Sequence, residues 1–111
     1  MKVLVTGNNG YVGTVLTDIL IQKGYSVTGL DVNYFESCTL EPVKQDFNQV
    51  AKDIREVDIN DVTGFDAVVH LAGLSNDPLG EMNSVLTEEI NFRGTVNIAR
   101  LAKKAGVKRF V

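Results

Sequence analysis

Thr6-Gly7-Asn8-Asn9-Gly10-Tyr11-Val12-Gly13 sets three glycines at intervals of three, behind one apolar run and ahead of another. The spacing suits phosphate. A tight turn at Gly7 needs a residue that takes positive φ freely. Gly10 lets the backbone approach a pyrophosphate with no Cβ in the way, and Gly13, one turn into a helix, allows close packing on the strand. The helix start then presents free N–H groups and partial positive charge to the phosphates. Asp31 follows Gly13 by eighteen residues, near the separation at which dinucleotide folds place their ribose-binding carboxylate. Such a carboxylate accepts both ribose hydroxyls and repels a 2′-phosphate. No Arg or Lys follows closely to welcome that phosphate, so NAD is expected over NADP. No Gly-Lys-Ser/Thr follows the glycines, which excludes a P-loop. The plainer reading, a turn plus a helix start with Asp31 capping a loop, does not account for loop, helix and acid agreeing.

These residues need a scaffold of alternating strands and helices, and the chain reads that way. Lys2–Thr6 is a short β-branched run ending in glycine, as for a strand buried on both faces of a parallel sheet. Val12, Val15, Leu16, Ile19 and Leu20 recur at helical spacing, which predicts an apolar face, and Gly24 stands where a left-handed cap belongs. A second strand is expected over Ser26–Leu30, a loop over Val32–Phe47, and a third strand over Gln49–Lys52. Asp66–Ala72 is the strongest strand signal, and Ser75–Gly80 reads as loop. From Ser84 to Ala105 a long helix is expected, with Leu86, Ile90, Gly94, Ile98, Leu101, Ala102 and Ala105 on one face. Gly106 ends it and Val107–Val111 begins a fifth strand. The order with right-handed crossovers gives an α/β fold, a Rossmann-type open parallel sheet with flanking helices. We expect one domain over residues 1–111, cut off just after the fifth strand begins.

Composition bounds the function. The chain has 111 residues, 44% of them hydrophobic and 23% charged, with ten Gly and two Pro, an ordinary globular balance. A net charge of −3 has the wrong sign for tracking nucleic-acid phosphates or an anionic membrane. No apolar run approaches the ~20 residues of a membrane span, and the N-terminal residues do not read as a signal peptide. Cys38 is alone, so neither a disulfide nor a Cys-based zinc site is expected, and a reducing cytoplasm is the default.

The Thr-Gly-x-x-Gly-x-x-Gly spacing differs from the Gly-x-Gly-x-x-Gly of ordinary dehydrogenases. It resembles the extended short-chain dehydrogenase/reductase superfamily, in particular the NAD-dependent epimerase/dehydratase family that acts on nucleotide sugars. Four further segments are similar: Asp53-Ile54-Arg55, His70-Leu71-Ala72-Gly73-Leu74, Asn91 with Gly94-Thr95-Val96-Asn97, and Lys108-Arg109-Phe110-Val111. The resemblance covers the whole chain. It implies that Gly7, Gly10, Tyr11, Val12 and Gly13 lie at the pyrophosphate of NAD and Asp31 at the adenosine ribose. Asp53 and Ile54 would flank the adenine. Leu71, Ala72, Gly73, Leu74 and Ser75 would lie toward the nicotinamide, with Asn91 on the neighbouring helix. It also implies a nucleotide-sugar substrate and a homodimer through the helix around Ser84–Ala105, for which plain cover of the sheet is the alternative.

One departure matters. The family's acid/base is a Tyr-x-x-x-Lys pair, but Tyr11, Tyr25 and Tyr34 are followed four residues later by Val15, Gly29 and Cys38. Without that pair hydride transfer lacks a proton acceptor, so no catalytic residue is assigned. The sequence therefore supports the NAD-binding portion of a longer nucleotide-sugar epimerase or dehydratase. The alternatives are a free-standing NAD-binding module and a fragment of an NADP-linked reductase. His70 reads as structural and Cys38 as a plain thiol. Asp53, Glu56, Asp58, Asp61 and Asp66 read as a solvated edge without calcium-loop spacing, and no metal is assigned. Asn76–Gly80 fits the border of a sugar pocket or a plain loop equally.

Overall fold

A computed structural model describes residues 1–32, 47–74 and 84–111. Their elements run β1 (Lys2–Thr6), α1 (Tyr11–Gln22), β2 (Ser26–Asp31), β3 (Asn48–Ala51), a 3₁₀ turn (Ile54–Glu56), α2 (Ile59–Val62) and β4 (Ala67–His70). There follow α3 (Ser84–Thr87), a π-helical stretch (Glu88–Gly94), α4 (Thr95–Lys104) and β5 (Arg109–Phe110). The five strands pair in the order β3-β2-β1-β4-β5, and every pairing is parallel. This is the expected Rossmann-type sheet, and its direction of winding reverses between β1 and β4.

Burial follows the two-residue period of the strands. Leu4, Leu30 and Val68 point to one face, where Ile54, Val57, Val62, Ile98 and Ala102 cover them. Val3, Val5, Val27 and Ala67 point to the other, against Leu20, Ile21 and Tyr25. β1 is therefore buried on both sides, as its unbroken apolar run requires.

Boundaries differ from the sequence reading in all strands but β1, and β2 runs one residue further, to Asp31. β4 runs from Ala67 to His70 instead of Asp66 to Ala72; Leu71 N still donates to Thr6 O at 3.0 Å, and the chain then passes close to Gly7, where a Cβ would lie 2.7 Å from Ala72 N. β3 starts one residue early, at Asn48, and β5 shrinks to two residues, although Val111 N still donates to Val68 O at 3.0 Å. The long helix forms, but its middle widens into the π stretch. Of the seven residues expected on its inner face, Ile90, Gly94, Ile98, Leu101, Ala102 and Ala105 do face the core, while Leu86 is half-buried outside that cluster.

The helix α1 corrects the reading more deeply. Its fully buried residues are Gly13 and Thr17; of the expected stripe Leu20 does pack on the core, while Val12 and Val15 are 60% exposed and Ile19 43% exposed. Gly13 sets this rotation. It brings the helix backbone onto the Gly7–Asn8 peptide, so Gly13, Thr17 and Ile21 face the sheet at spacings of four. The Val12–Val15–Ile19 stripe turns outward.

Candidate functional site

The carboxyl ends of β1, β2 and β4 lie side by side, and the segments leaving them form one edge of the sheet. In open α/β sheets this edge, at the point where winding reverses, is where a ligand crevice forms. The glycine loop leaves β1 there, Asp31 closes β2, and Leu71–Leu74 leaves β4.

Each glycine of the loop has its own reason. Gly7 takes φ +71, its N–H donates to Leu30 O at 2.8 Å, and its α-carbon abuts Leu71 and Ala72. Gly13 has no room for a side chain, since a Cβ would fall on Gly7 O and lie 2.7 Å from Asn8 Cα. Gly10 is different: it is the extended N-cap of α1, and a Cβ there would meet only Gly7 O, at 3.2 Å. Its α-carbon faces open space. No side chain caps α1, and its first turn carries no acid. The helix start at this corner can therefore offer N–H donors to a pyrophosphate, with no side chain at Gly10 in the way. Tyr11, 96% exposed, and Val12 border it.

Asp31 stands beside the loop, its Oδ2 accepting the Asn9 N–H at 3.1 Å. Sequence reasoning missed what lies beneath. Asn8 is 1% exposed, and its amide pairs reciprocally with Gln49 of β3: Nδ2 donates to Oε1 at 2.8 Å, and Gln49 Nε2 donates back to Oδ1 at 3.1 Å. The Asn8 Nδ2 also donates to Asn9 Oδ1 at 3.0 Å. Gly29 makes the space, since a Cβ there would overlap the Asn8 amide. A glycine in mid-strand signals such a close approach, and it was the available clue.

At the end of β4, Asn91 clasps the departing chain. Its Oδ1 accepts the Leu74 N–H at 2.7 Å and its Nδ2 donates to Leu74 O at 2.8 Å. A Cβ on Gly73 would lie 3.1 Å from that Oδ1, so Gly73 admits the clasp. Asn91 belongs to the π stretch, a local widening common at functional sites. Leu71, Ala72, Gly73, Leu74 and Asn91 thus sit together, while Ser75, Cys38 and Asn76–Gly80 lie outside the described residues.

His70 ties these parts. Its Nδ1 lies 2.7 Å from Thr6 Oγ1 and its Nε2 lies 2.9 Å from Thr95 Oγ1. The Thr95 hydroxyl donates to Asn91 O at 2.9 Å, so it accepts from Nε2–H. Nδ1 then accepts from the Thr6 hydroxyl, which in turn accepts the Ala72 N–H at 3.4 Å. Burial lowers the pKa of the imidazole, which favours its neutral form. The ring also stacks on Phe110, centroids 6.0 Å apart. His70 is wired as a structural link between both halves of the site.

Asp53 and Ile54 stand one strand further out. The Asp53 carboxylate is held by Arg55 through its backbone N–H at 2.8 Å and its guanidinium at 2.6 Å, and the side-chain contact chiefly lowers its pKa. The Ile54 side chain is buried in the core, against Gly94. The Asp53 side chain is partly exposed, and Arg55 and Glu56 beside it are exposed. Asp58 and Asp61 engage Lys52, and Asp66 engages the Lys2 N–H and Lys108. Among the described residues no three acids, His or Cys gather as a metal site, and no helix is long and apolar enough to cross a membrane.

Comparison with known proteins agrees with the geometry. A putative UDP-glucose 4-epimerase of Methanocaldococcus jannaschii is 32% identical over 98% of this chain and 36% of its own length. A 3-beta-hydroxysteroid dehydrogenase of Mycolicibacterium neoaurum is 31% identical over 99% of this chain and 31% of its own. Among solved structures, a dTDP-glucose 4,6-dehydratase from Streptomyces venezuelae with NAD bound superposes with a TM-score of 0.85. It is 30% identical over 99% of this chain and 38% of its own. The chain thus spans about a third of the length of these relatives. The family model described as NAD dependent epimerase/dehydratase matches residues 3–111. By that match, and by a glycine loop, a β2 carboxylate and a β4 exit gathered on one sheet edge, the chain belongs to the NAD-dependent epimerase/dehydratase family.

Proposed function

We propose that this chain is the NAD-binding portion of a nucleotide-sugar epimerase or dehydratase. The observation that carries the reading is the uncapped start of α1 behind Gly10, with Asp31 at its side. Gly7, Gly10, Tyr11, Val12 and Gly13 would lie at the pyrophosphate, held by the N–H groups that start α1, since the N–H groups of Gly7 and Gly10 already donate to Leu30 O and Gly7 O. Asp31 would hold the adenosine ribose through both hydroxyls, and Asp53 with the Ile54 backbone would border the adenine. Leu71, Ala72, Gly73, Leu74 and Ser75 would line the nicotinamide side, with Asn91 fixing the path of that segment. When bound, the nicotinamide supplies the acceptor for a hydride leaving a sugar carbon. The matching proton needs a base of the Tyr-x-x-x-Lys type, which these 111 residues do not contain. A homodimer through the helix from Ser84 is part of the same reading, supported by Val85 and Phe92, 66% and 63% exposed on its outer side; gel filtration tests it.

Calorimetric titration of the full chain with NAD and NADP tests the cofactor assignment. NAD should bind and NADP more weakly, with Asp31→Ala removing most of the difference. Absence of NAD binding would overturn the assignment. The missing Tyr-x-x-x-Lys pair supports a second reading, a module that binds NAD without chemistry. The intact mass of the native product separates the two: 12.1 kDa favours the module, and a much larger product containing the pair favours the enzyme.

A further inference from the structure

We propose that Gln49 is a positioning residue that sets the preference for NAD over NADP, acting through Asn8 on the Asp31 carboxylate; this rests on the NAD reading above. Gln49 lies on a different strand from Asp31 and belongs to no cofactor motif. Its reach is nevertheless short. Gln49 and Asn8 exchange two amide hydrogen bonds, at 2.8 and 3.1 Å. The remaining Asn8 N–H goes to Asn9 Oδ1 at 3.0 Å, and the Asn9 backbone N–H goes to Asp31 Oδ2 at 3.1 Å. Four residues thus form one relay from the third strand to the ribose-binding acid.

The relay is held under constraint. Asn8 is buried with Gln49 in place, so an apolar side chain of similar size at position 49 leaves its amide short of partners. The missing Cβ of Gly29 leaves a slot shaped to that amide, and Gly29 is the β2 residue in register with Gln49. Without Gln49 the buried amide keeps one hydrogen-bond partner and must find others by moving, and the loop from Asn8 to Gly10 moves with it. The Asn9 N–H then leaves Asp31, and the carboxylate loses a bond that orients it on the loop side. A carboxylate held beside the ribose binds two hydroxyls and repels a 2′-phosphate. A loosened one does both less well, so NAD loses affinity while NADP loses none.

The test is calorimetric titration of NAD and NADP into the full chain and its Gln49→Leu and Gln49→Glu variants. Gln49→Leu should weaken NAD about fivefold to tenfold, the size of one or two lost hydrogen bonds, and leave NADP unchanged or tighter. Gln49→Glu, which still accepts from Asn8 Nδ2 but cannot donate to its Oδ1, should fall between and serves if the leucine variant does not fold. In an Asn8→Gly background, Gln49→Leu should have no further effect on the NAD:NADP ratio, since its route is gone. A merely structural Gln49 would lower the thermal midpoint and weaken both dinucleotides equally. That result, or a wild-type ratio in the variants, overturns the assignment while NAD binding itself stands. A wild-type chain that takes up neither dinucleotide removes the NAD reading and this one with it.

Discussion

Replacing Gly13 by Ala tests the packing on which the cofactor corner depends. The added methyl falls on the Gly7 carbonyl oxygen and comes within 2.7 Å of Asn8 Cα and 2.8 Å of Asn8 C. All three are backbone atoms, so no side chain can swing aside. Overpacking of this kind costs ~1–3 kcal/mol, and alanine returns ~1 kcal/mol of helix propensity. With three backbone atoms in conflict the upper part of the range applies, leaving a net loss of ~1–2 kcal/mol. For a chain of this size that lowers the thermal midpoint by about 5–10 °C. The relief available is to lift α1 away from the loop, which displaces the N–H groups offered to the pyrophosphate. NAD affinity should therefore fall by at least about tenfold, the equivalent of ~1.4 kcal/mol. Gly24→Ala is the control. Gly24 has φ +85 with nothing within 4 Å of a Cβ, so its cost is left-handed strain of ~1–2 kcal/mol far from the loop. It should lower the midpoint and leave NAD affinity alone. Calorimetry and thermal melts on the three proteins decide the matter. A Gly13→Ala chain that melts with the wild type and binds NAD equally would refute the close helix–loop packing.

Two further expectations concern packing and titration. The Thr17 hydroxyl is buried with no hydrogen-bond partner among the described residues, so Thr17→Val should raise stability by about 0.5–1.5 kcal/mol. Val15→Lys on the outer stripe should change it by less than about 0.5 kcal/mol. Urea midpoints showing Val15→Lys more damaging than Thr17→Lys would mean the helix is turned the other way. The only histidine, His70, has its pKa lowered from 6.5 by burial. The unfolded chain therefore gains a proton near that value before the folded chain does, and stability falls as pH drops through it. The loss between about pH 7.5 and about pH 5.5 should shrink in His70→Gln, and an equal loss in both proteins would assign it elsewhere. Asp53, Asp58 and Asp66 have pKa values lowered from 3.8 by their partners, so their contribution is lost only at more acid pH.

What the sequence made legible, and what it hid, divides along one physical line. β1 and β4 were readable because strands buried on both faces must be apolar throughout, whatever packs against them. The glycine loop was readable because its spacing is imposed by backbone contacts within a few residues. The orientation of α1 was not. Periodicity assumes that the most apolar stripe faces the core, but Gly13 presses the helix backbone onto Asn8 and the rotation follows from that contact. Three exposed apolar residues and a buried threonine are the consequence. The same local glycine rule that revealed the loop therefore overrode the pattern used for the helix beside it. The Asn8–Gln49 clasp was hidden for a different reason. Its partners are 41 residues apart, and register between neighbouring strands brings them together. Its trace in the sequence is Gly29, a glycine at a strand position where a β-branched residue would otherwise pack better. Read together, Gly13 and Gly29 enclose Asn8 from above and below. The residue most tightly confined in the loop is thus none of the three glycines that make the motif recognisable, nor the acid beside it, but Asn8.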